Sequence, residues 1–121
     1  MKNQTIQNDF KNKTVLVTGH TGFIGTWMSL WLDLLGAKII GYSLNPSTTP
    51  SMFEIVKLKK NITHVVGDIN NFKKLQQTIE TEKPEFVFHL AAQAIVRESY
   101  DDPLKTFQTN VMGTANILES I

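Results

Sequence analysis

The chain contains no cysteine. A disulfide framework, a thiolate metal site and a cysteine nucleophile are excluded together. No apolar run approaches the length needed to cross a bilayer, and the polar opening residues lack the apolar stretch of a secretory signal. Charge of one sign is also missing: 12 Lys and Arg stand against 11 Asp and Glu, a formal net of +1. That balance builds no field suited to nucleic acid or to an acidic membrane. The expectations are a cytoplasmic protein with neither partner, in which residues 1–12 form a polar, frayed leader. Lys57, Lys59 and Lys60, and the pair Lys73 and Lys74, read as solvated helix faces. Asn-x-Ser/Thr matches at Asn3, Asn12 and Asn61 read as chance, two of them running into predicted strands.

What is present is organised around Val15-Leu16-Val17-Thr18-Gly19-His20-Thr21-Gly22-Phe23-Ile24-Gly25. An apolar run ends at a glycine turn, and a long apolar-faced segment follows from Trp27 to Leu35. Gly19 would supply a backbone angle closed to other residues, Gly22 would let a pyrophosphate approach the main chain, and Gly25 would let the helix close onto the strand. Free N–H groups at the helix start would then face the phosphates. A glycine turn can also serve the fold and bind nothing. The strand before it and the helix after it are the context that favours a ligand.

Along the chain, Thr14 to Thr18 is apolar in its middle without alternation, as a strand covered on both faces should be. Ile24, Trp27, Met28, Trp31, Leu34 and Leu35 follow at helical spacing, with both tryptophans expected in the core, and Gly36 closes the helix. Lys38 to Tyr42 reads as the second strand. Dinucleotide-binding turns commonly place an acidic residue at the end of that strand to hold the adenosine ribose. This chain has Gly41-Tyr42-Ser43-Leu44-Asn45-Pro46 instead. Ser43 or Asn45 is placed to bond a ribose hydroxyl, and no Arg lies near to pair with a 2′-phosphate, which favours NAD over NADP.

Ser51 is a cap for a short helix through Leu58, and Ile62 to Val66 is a third strand ending at Gly67-Asp68-Ile69. There Asp68 is placed to accept from an adenine amine while Ile69 packs on the ring, or Asp68 merely caps the next turn. His64, inside the strand, reads as structural. Asn71 to Glu80 forms a helix with Phe72, Leu75 and Ile79 on one face, and Phe86 to Leu90 a fourth buried strand that runs into Ala91-Ala92-Gln93. Small residues there would admit a nicotinamide ribose or pyrophosphate. Asp102-Pro103 opens a last helix carrying Leu104, Phe107, Val111, Ala115 and Leu118.

Four strand-and-helix alternations predict an α/β, Rossmann-like, doubly wound parallel sheet of order 3-2-1-4, with a cofactor across the switch point between strands 1 and 4. A full dinucleotide-binding sheet has more strands. Residues 13–121 are accordingly expected to be the N-terminal portion of such a domain.

Gly19-His20-Thr21-Gly22-Phe23-Ile24-Gly25, Gly67-Asp68-Ile69, His89-Leu90-Ala91-Ala92-Gln93 and Asn110-Val111-Met112-Gly113-Thr114 together resemble the extended short-chain dehydrogenase/reductases that act on nucleotide sugars. Gly41 to Pro46 with Thr48-Thr49-Pro50, and Val96-Arg97-Glu98-Ser99-Tyr100-Asp101-Asp102-Pro103, look most like the CDP-glucose 4,6-dehydratase branch. That branch often has a lysine at the position of Ile24, where isoleucine is usual in the wider superfamily.

The resemblance implies that Gly19, Thr21, Gly22, Phe23, Ile24 and Gly25 hold the pyrophosphate of NAD, and Ser43 its adenosine ribose. Asp68 and Ile69 would hold the adenine, and Leu90, Ala91, Ala92 and Gln93 the nicotinamide side. Asn110 would bond backbone and help place the catalytic residues. Arg97 and Ser99 would meet the sugar nucleotide, CDP-glucose in that branch, unless they are ordinary surface residues. The family's chemistry starts with hydride transfer from the hexose C4 to NAD, loses water across C5 and C6, and returns the hydride to C6. It requires a Tyr-x-x-x-Lys pair. Neither Tyr42 nor Tyr100 has a lysine four residues later, so no catalytic residue and no metal ligand is assigned in this chain. The expectation is a piece truncated before that pair, inactive alone. The rival readings are a stand-alone dinucleotide- or partner-binding module, or part of a nucleotide-sugar epimerase or reductase. An uncovered strand 4 and an uncovered Leu104, Phe107 and Val111 stripe predict a homo-oligomer.

Overall fold

The computed structural model describes the backbone from Lys2 to Ile121 and side chains from Ile6 onward. The Asn3 side chain lies outside the described residues. The sheet is built from β1 (Thr14–Thr18), β2 (Lys38–Ser43), β3 (Thr63–Val66) and β4 (Phe86–His89), all parallel, in the order β3-β2-β1-β4. The expected topology is the observed one. Central β1 is flanked on both sides, with Thr18 opposite Tyr42 in β2 and opposite His89 in β4.

Alternation along the strands sorts the core into two layers, because successive side chains leave a strand on opposite faces. On one face Leu16, Ile40 and Tyr42 pack with Leu75 and Ile79 of α4 (Phe72–Glu82) and Ile117 of α7 (Gly113–Ser120). On the other, Val15, Val17 and Ile39 pack with Leu32 of α2 (Phe23–Leu34). Leu16 and Leu32 are essentially fully buried, so truncating either to Ala should cost about 2–5 kcal/mol.

The short helix α3 (Met52–Ile55) starts at Ser51, whose hydroxyl accepts from Glu54 N–H while the Glu54 carboxylate accepts from Ser51 N–H, a reciprocal capping box. It gives way to a 3-10 turn at Leu58–Lys60 rather than running through Leu58. Asn71 caps α4 by accepting from Lys74 N–H at 3.1 Å. Two further helices, α5 (Val96–Asp101) and α6 (Pro103–Phe107), follow β4. Asp102 caps α6, accepting from Lys105 N–H at 3.0 Å with Pro103 in its first turn. Between α6 and α7 the chain widens into a π turn at Gln108–Met112, a local form that tends to mark functional positions.

Two expectations are corrected. The leader is not frayed throughout: Lys2–Phe10 forms a helix, α1, whose last residue packs against the sheet. Phe10 reaches Phe86 with ring centroids 5.1 Å apart, which secures the helix end. The tryptophans are not core residues, Trp27 and Trp31 being 53% and 47% exposed. The buried stripe of α2 is instead Gly25, Thr26, Ser29 and Leu32. A helix drawn close to the sheet at its start has room beneath it only for small side chains, and the large ones turn outward.

Candidate functional site

Parallel strands end together, so the loops after β1, β2, β3 and β4 share one edge of the sheet. Connections leave β1 and β4 in opposite directions there, which opens a crevice between their ends. Gly19, the first residue past β1, has φ +74°, and a Cβ on it would lie 2.8 Å from Leu90 C and Ala91 N. The two turns therefore meet backbone to backbone. Gly25 is closed in similarly, since its Cβ would stand 2.0 Å from the Gly19 carbonyl oxygen. Gly22 has more room, with one such neighbour at 3.3 Å.

Gly22 is also the N-cap of α2, extended at φ −77° and ψ 171°, with no side chain to cap the helix. The N–H groups of Phe23, Ile24 and Gly25 have no intrahelical acceptor at that position. They lie at a cavity of about 550 Å³ bounded by the glycine turn and by the ends of the other three strands. Open donors at the positive end of a twelve-residue helix suit a pyrophosphate, and no Cβ fills the approach at Gly22.

Thirteen of the residues singled out in the sequence line this one cavity: Gly19, Thr21, Gly22, Phe23, Ile24, Gly25, Ser43, Asn45, Asp68, Ile69, Leu90, Ala91 and Ala92. Ser43 and Thr21 are buried and their hydroxyl oxygens lie 2.8 Å apart. Thr21 spends its proton on the Leu44 carbonyl at 2.9 Å, so Ser43 must donate to Thr21. Ser43 is thereby left with lone pairs alone for anything in the cavity. Asp68 is exposed and caps its own turn, one carboxylate oxygen accepting from Asn70 N–H at 2.8 Å. Its carbonyl accepts from the Tyr42 hydroxyl at 2.9 Å. Ile69 lines the cavity, but its side chain is 5% exposed and packs beneath Gly113.

Gln93 and Asn110 stand outside the lining and hold each other. Gln93 N–H donates to Asn110 Oδ1 at 2.8 Å, and Asn110 Nδ2 donates to the Gln93 carbonyl at 3.0 Å. Arg97 and Ser99, on α5, are not brought into the cavity either, and the Ser99 hydroxyl turns back to the Val96 carbonyl.

The cavity contains residues that the sequence did not single out. Lys105 and Thr109, four apart on the helical segment after β4, line its far wall, and Lys105 is the cationic side chain among the described lining residues. Helical spacing alone gave no sign that this segment crosses the cleft. Tyr42 also lines it, and burial, then the Asp68 charge, push its phenol up to about 12. That is the wrong direction for a general base near neutral pH. Among the described residues no group of three or more His, Asp or Glu is placed to hold a metal ion, and no helix is long and apolar enough to cross a membrane.

The family model described as GDP-mannose 4,6 dehydratase matches residues 16–121. The CDP-glucose 4,6-dehydratase of Salmonella typhimurium is 51% identical over 115 residues, which cover 95% of this chain and 32% of that protein. Among solved structures, an epimerase from Methanothermobacter thermautotrophicus superposes with TM-score 0.80 at 31% identity, covering 94% of this chain and 33% of that one. The UDP-glucose 4-epimerase of Brucella ovis, solved in complex with NAD, gives TM-score 0.76 at 35% identity, covering 89% of this chain and 31% of that one. The chain spans about a third of the length of each of these three relatives.

Proposed function

The chain belongs to the GDP-mannose 4,6-dehydratase family of nucleotide-sugar short-chain dehydrogenase/reductases, and on that basis we propose that it is the NAD-binding portion of a nucleotide-sugar 4,6-dehydratase. The observation that carries this reading is the uncapped start of α2 opening onto the cavity, with the Ser43 lone pairs at the end of the neighbouring strand. The glycine turn from Gly19 to Gly25 takes the pyrophosphate. Ser43 accepts from an adenosine ribose hydroxyl, Asp68 and Ile69 border the adenine, and Leu90, Ala91 and Ala92 border the nicotinamide, with Gln93 behind them held by Asn110. The identity to a CDP-glucose 4,6-dehydratase supports CDP-glucose as the sugar nucleotide of the whole enzyme, and Arg97 and Ser99, on α5 outside the cavity, would meet it.

Bound NAD would supply the hydride acceptor. This chain's residues bind and orient it, and the chemistry ends there. Neither tyrosine is followed by lysine at the fourth position, and Tyr42 is held firmly protonated. The 121-residue chain alone is inactive on this account. A coding sequence that continues past Ile121 into a Tyr-x-x-x-Lys would separate the enzyme readings, dehydratase or epimerase, from a stand-alone binding module.

The test is a titration of the purified chain with NADH and with NADPH, followed by nicotinamide fluorescence and calorimetry. Saturable NADH binding, weaker NADPH binding and loss of both in Gly22→Asp are the expected results. Tighter NADPH binding would reverse the choice of cofactor, and no binding of either would remove the cofactor role from this chain.

A further inference from the structure

In-register pairing of β1 with β4 sets His89 beside Thr18. His89 Nδ1 lies 2.7 Å from Thr18 Oγ1, and Nε2 lies 3.2 Å from Thr114 Oγ1 on α7. Either contact alone fits either tautomer of a neutral imidazole.

The surrounding donors remove that freedom. Thr18 Oγ1 accepts from the N–H groups of Leu90 at 3.1 Å and Ala91 at 3.2 Å. The Leu90 N–H is shared with the Thr18 carbonyl at 3.2 Å, so the direction is set at the other end of the ring. Thr114 gives its one proton to the Asn110 carbonyl, its oxygen can only accept from His89 Nε2, and Nδ1 is left to accept from the Thr18 hydroxyl. A neutral ring that accepts at Nδ1 carries its proton on Nε2 and donates it to Thr114. The Thr114 hydroxyl in turn donates to the Asn110 carbonyl at 2.6 Å, inside the π turn. The Asn110 side chain then closes on the main chain of Gln93.

These bonds form one directed chain, and both of its ends grip the same turn, Leu90 to Gln93. Leu90, Ala91 and Ala92 wall the cavity, and this turn is the one that meets Gly19 backbone to backbone. We propose that His89, as the Nε2–H tautomer, is a positioning residue that fixes the Leu90–Gln93 turn against the glycine turn and so sets one wall of the cofactor cleft. The assignment of a cofactor to that cleft rests on the function proposed above.

A second ring proton would disrupt the arrangement. It would aim a third donor at the Thr18 oxygen, in competition with the Leu90 and Ala91 N–H groups, so a charged His89 would loosen the hold on the turn. The groups facing the ring are the Thr18 hydroxyl from β1 and the Thr114 hydroxyl from α7, with the Asn110 carbonyl beyond, and none is charged. Burial lowers the ring's pKa below its ordinary value, in keeping with a neutral role.

Nitrogen-15 spectra of the 121-residue chain read the tautomer directly, amide exchange reads the turn, and NADH titration reads the cleft. His89→Phe keeps the ring's bulk and removes both bonds. His89→Asn puts an amide oxygen where Nδ1 stood and restores the acceptor for Thr18. The expected results are an unprotonated Nδ1, faster exchange at Leu90, Ala91 and Gln93 in His89→Phe, NADH binding weakened about tenfold, and partial recovery in His89→Asn. A protonated Nδ1 in the native chain would overturn the proposal, as would native amide protection in His89→Phe. If His89→Phe does not fold, Thr114→Val, which cuts a single link, should still speed exchange at Gln93, and native exchange there would overturn the proposal. If the native chain fails to bind NADH, the cofactor reading falls, while the tautomer and the amide exchange still decide the role of His89 in the turn.

Discussion

His20 Nε2 lies 2.7 Å from His64 Nδ1, although one residue follows β1, the other belongs to β3, and β2 runs between them. Gly41 of β2 makes the meeting possible, because a Cβ there would stand 2.4 Å from His20 Cδ2. The pair is roofed by Phe53, whose ring centroid lies 5.4 Å from that of His20 and 5.1 Å from that of His64.

This pair makes stability depend on acid. His20 is fully buried, and burial, then the His64 charge, lower its pKa from 6.5 to about 4 against a small opposing effect of the Tyr42 backbone. His64 is lowered as well, by burial and then by Lys59. Between those limits the unfolded chain binds the proton that the folded chain refuses, so unfolding free energy rises with pH. The contribution of His20 is complete above about 6.5 and is lost as pH falls toward 4, on the order of 3 kcal/mol in all. Urea unfolding at pH 7.5, 6, 5 and 4 should show the midpoint sliding downward over that window. A flat midpoint would show that the pair is solvated.

Gly22 and Gly25 should respond differently to the same added methyl group. Gly25→Ala drives a Cβ into the Gly19 carbonyl, forces α2 away from the sheet, and should cost about 1–3 kcal/mol together with NADH binding. Gly22→Ala meets one atom at 3.3 Å and should melt near the native temperature. Its loss should appear in NADH affinity, because on the proposed function the methyl group would stand where the pyrophosphate approaches. Equal stability losses in the two variants would deny Gly22 a ligand role.

Ser43 and Thr21 act as a unit. With its proton committed to Thr21, Ser43 can only accept, which suits a ribose hydroxyl and opposes a 2′-phosphate that carries acceptors of its own. Ser43→Ala should weaken NADH binding by about tenfold and NADPH binding by less. Thr21→Val removes the acceptor for the Ser43 proton, freeing Ser43 to donate, and should narrow the gap between the two cofactors. Calorimetry with both cofactors on both variants checks this, and an unchanged NADH to NADPH ratio in Thr21→Val would break the link.

The parts legible in the sequence were those encoded locally. The glycine turn, the caps at Ser51 and Asp102, and the spacing of strands and helices each depend on a few neighbouring residues, and together they gave the sheet order and most of the cavity. His64 reads alone as an ordinary strand histidine because its partner lies 44 residues away. Periodicity placed Trp27 and Trp31 on an apolar stripe, but the helix-to-sheet distance that turns them outward is set by the contact of Gly25 with Gly19. Lys105 and Thr109 reach the cavity through the crossing of their helical segment, which no local pattern specifies.

The last helical segment carries a prediction about association. Leu104, Phe107, Val111 and Leu118 are 82%, 65%, 54% and 65% exposed. β4 forms one edge of the sheet, with Phe86 38% exposed. Large apolar side chains grouped on one surface gain roughly 25 cal/mol for each Å² they bury, so a second copy of the chain is favoured as their cover. Sedimentation velocity at micromolar concentration should show a dimer or larger species. Leu104→Glu combined with Phe107→Glu should shift it to monomer without loss of fold, since neither side chain contributes to the buried core. A native chain that sediments as a monomer would mean that the stripe is stable in water at this size and that self-association has no part in how the chain works.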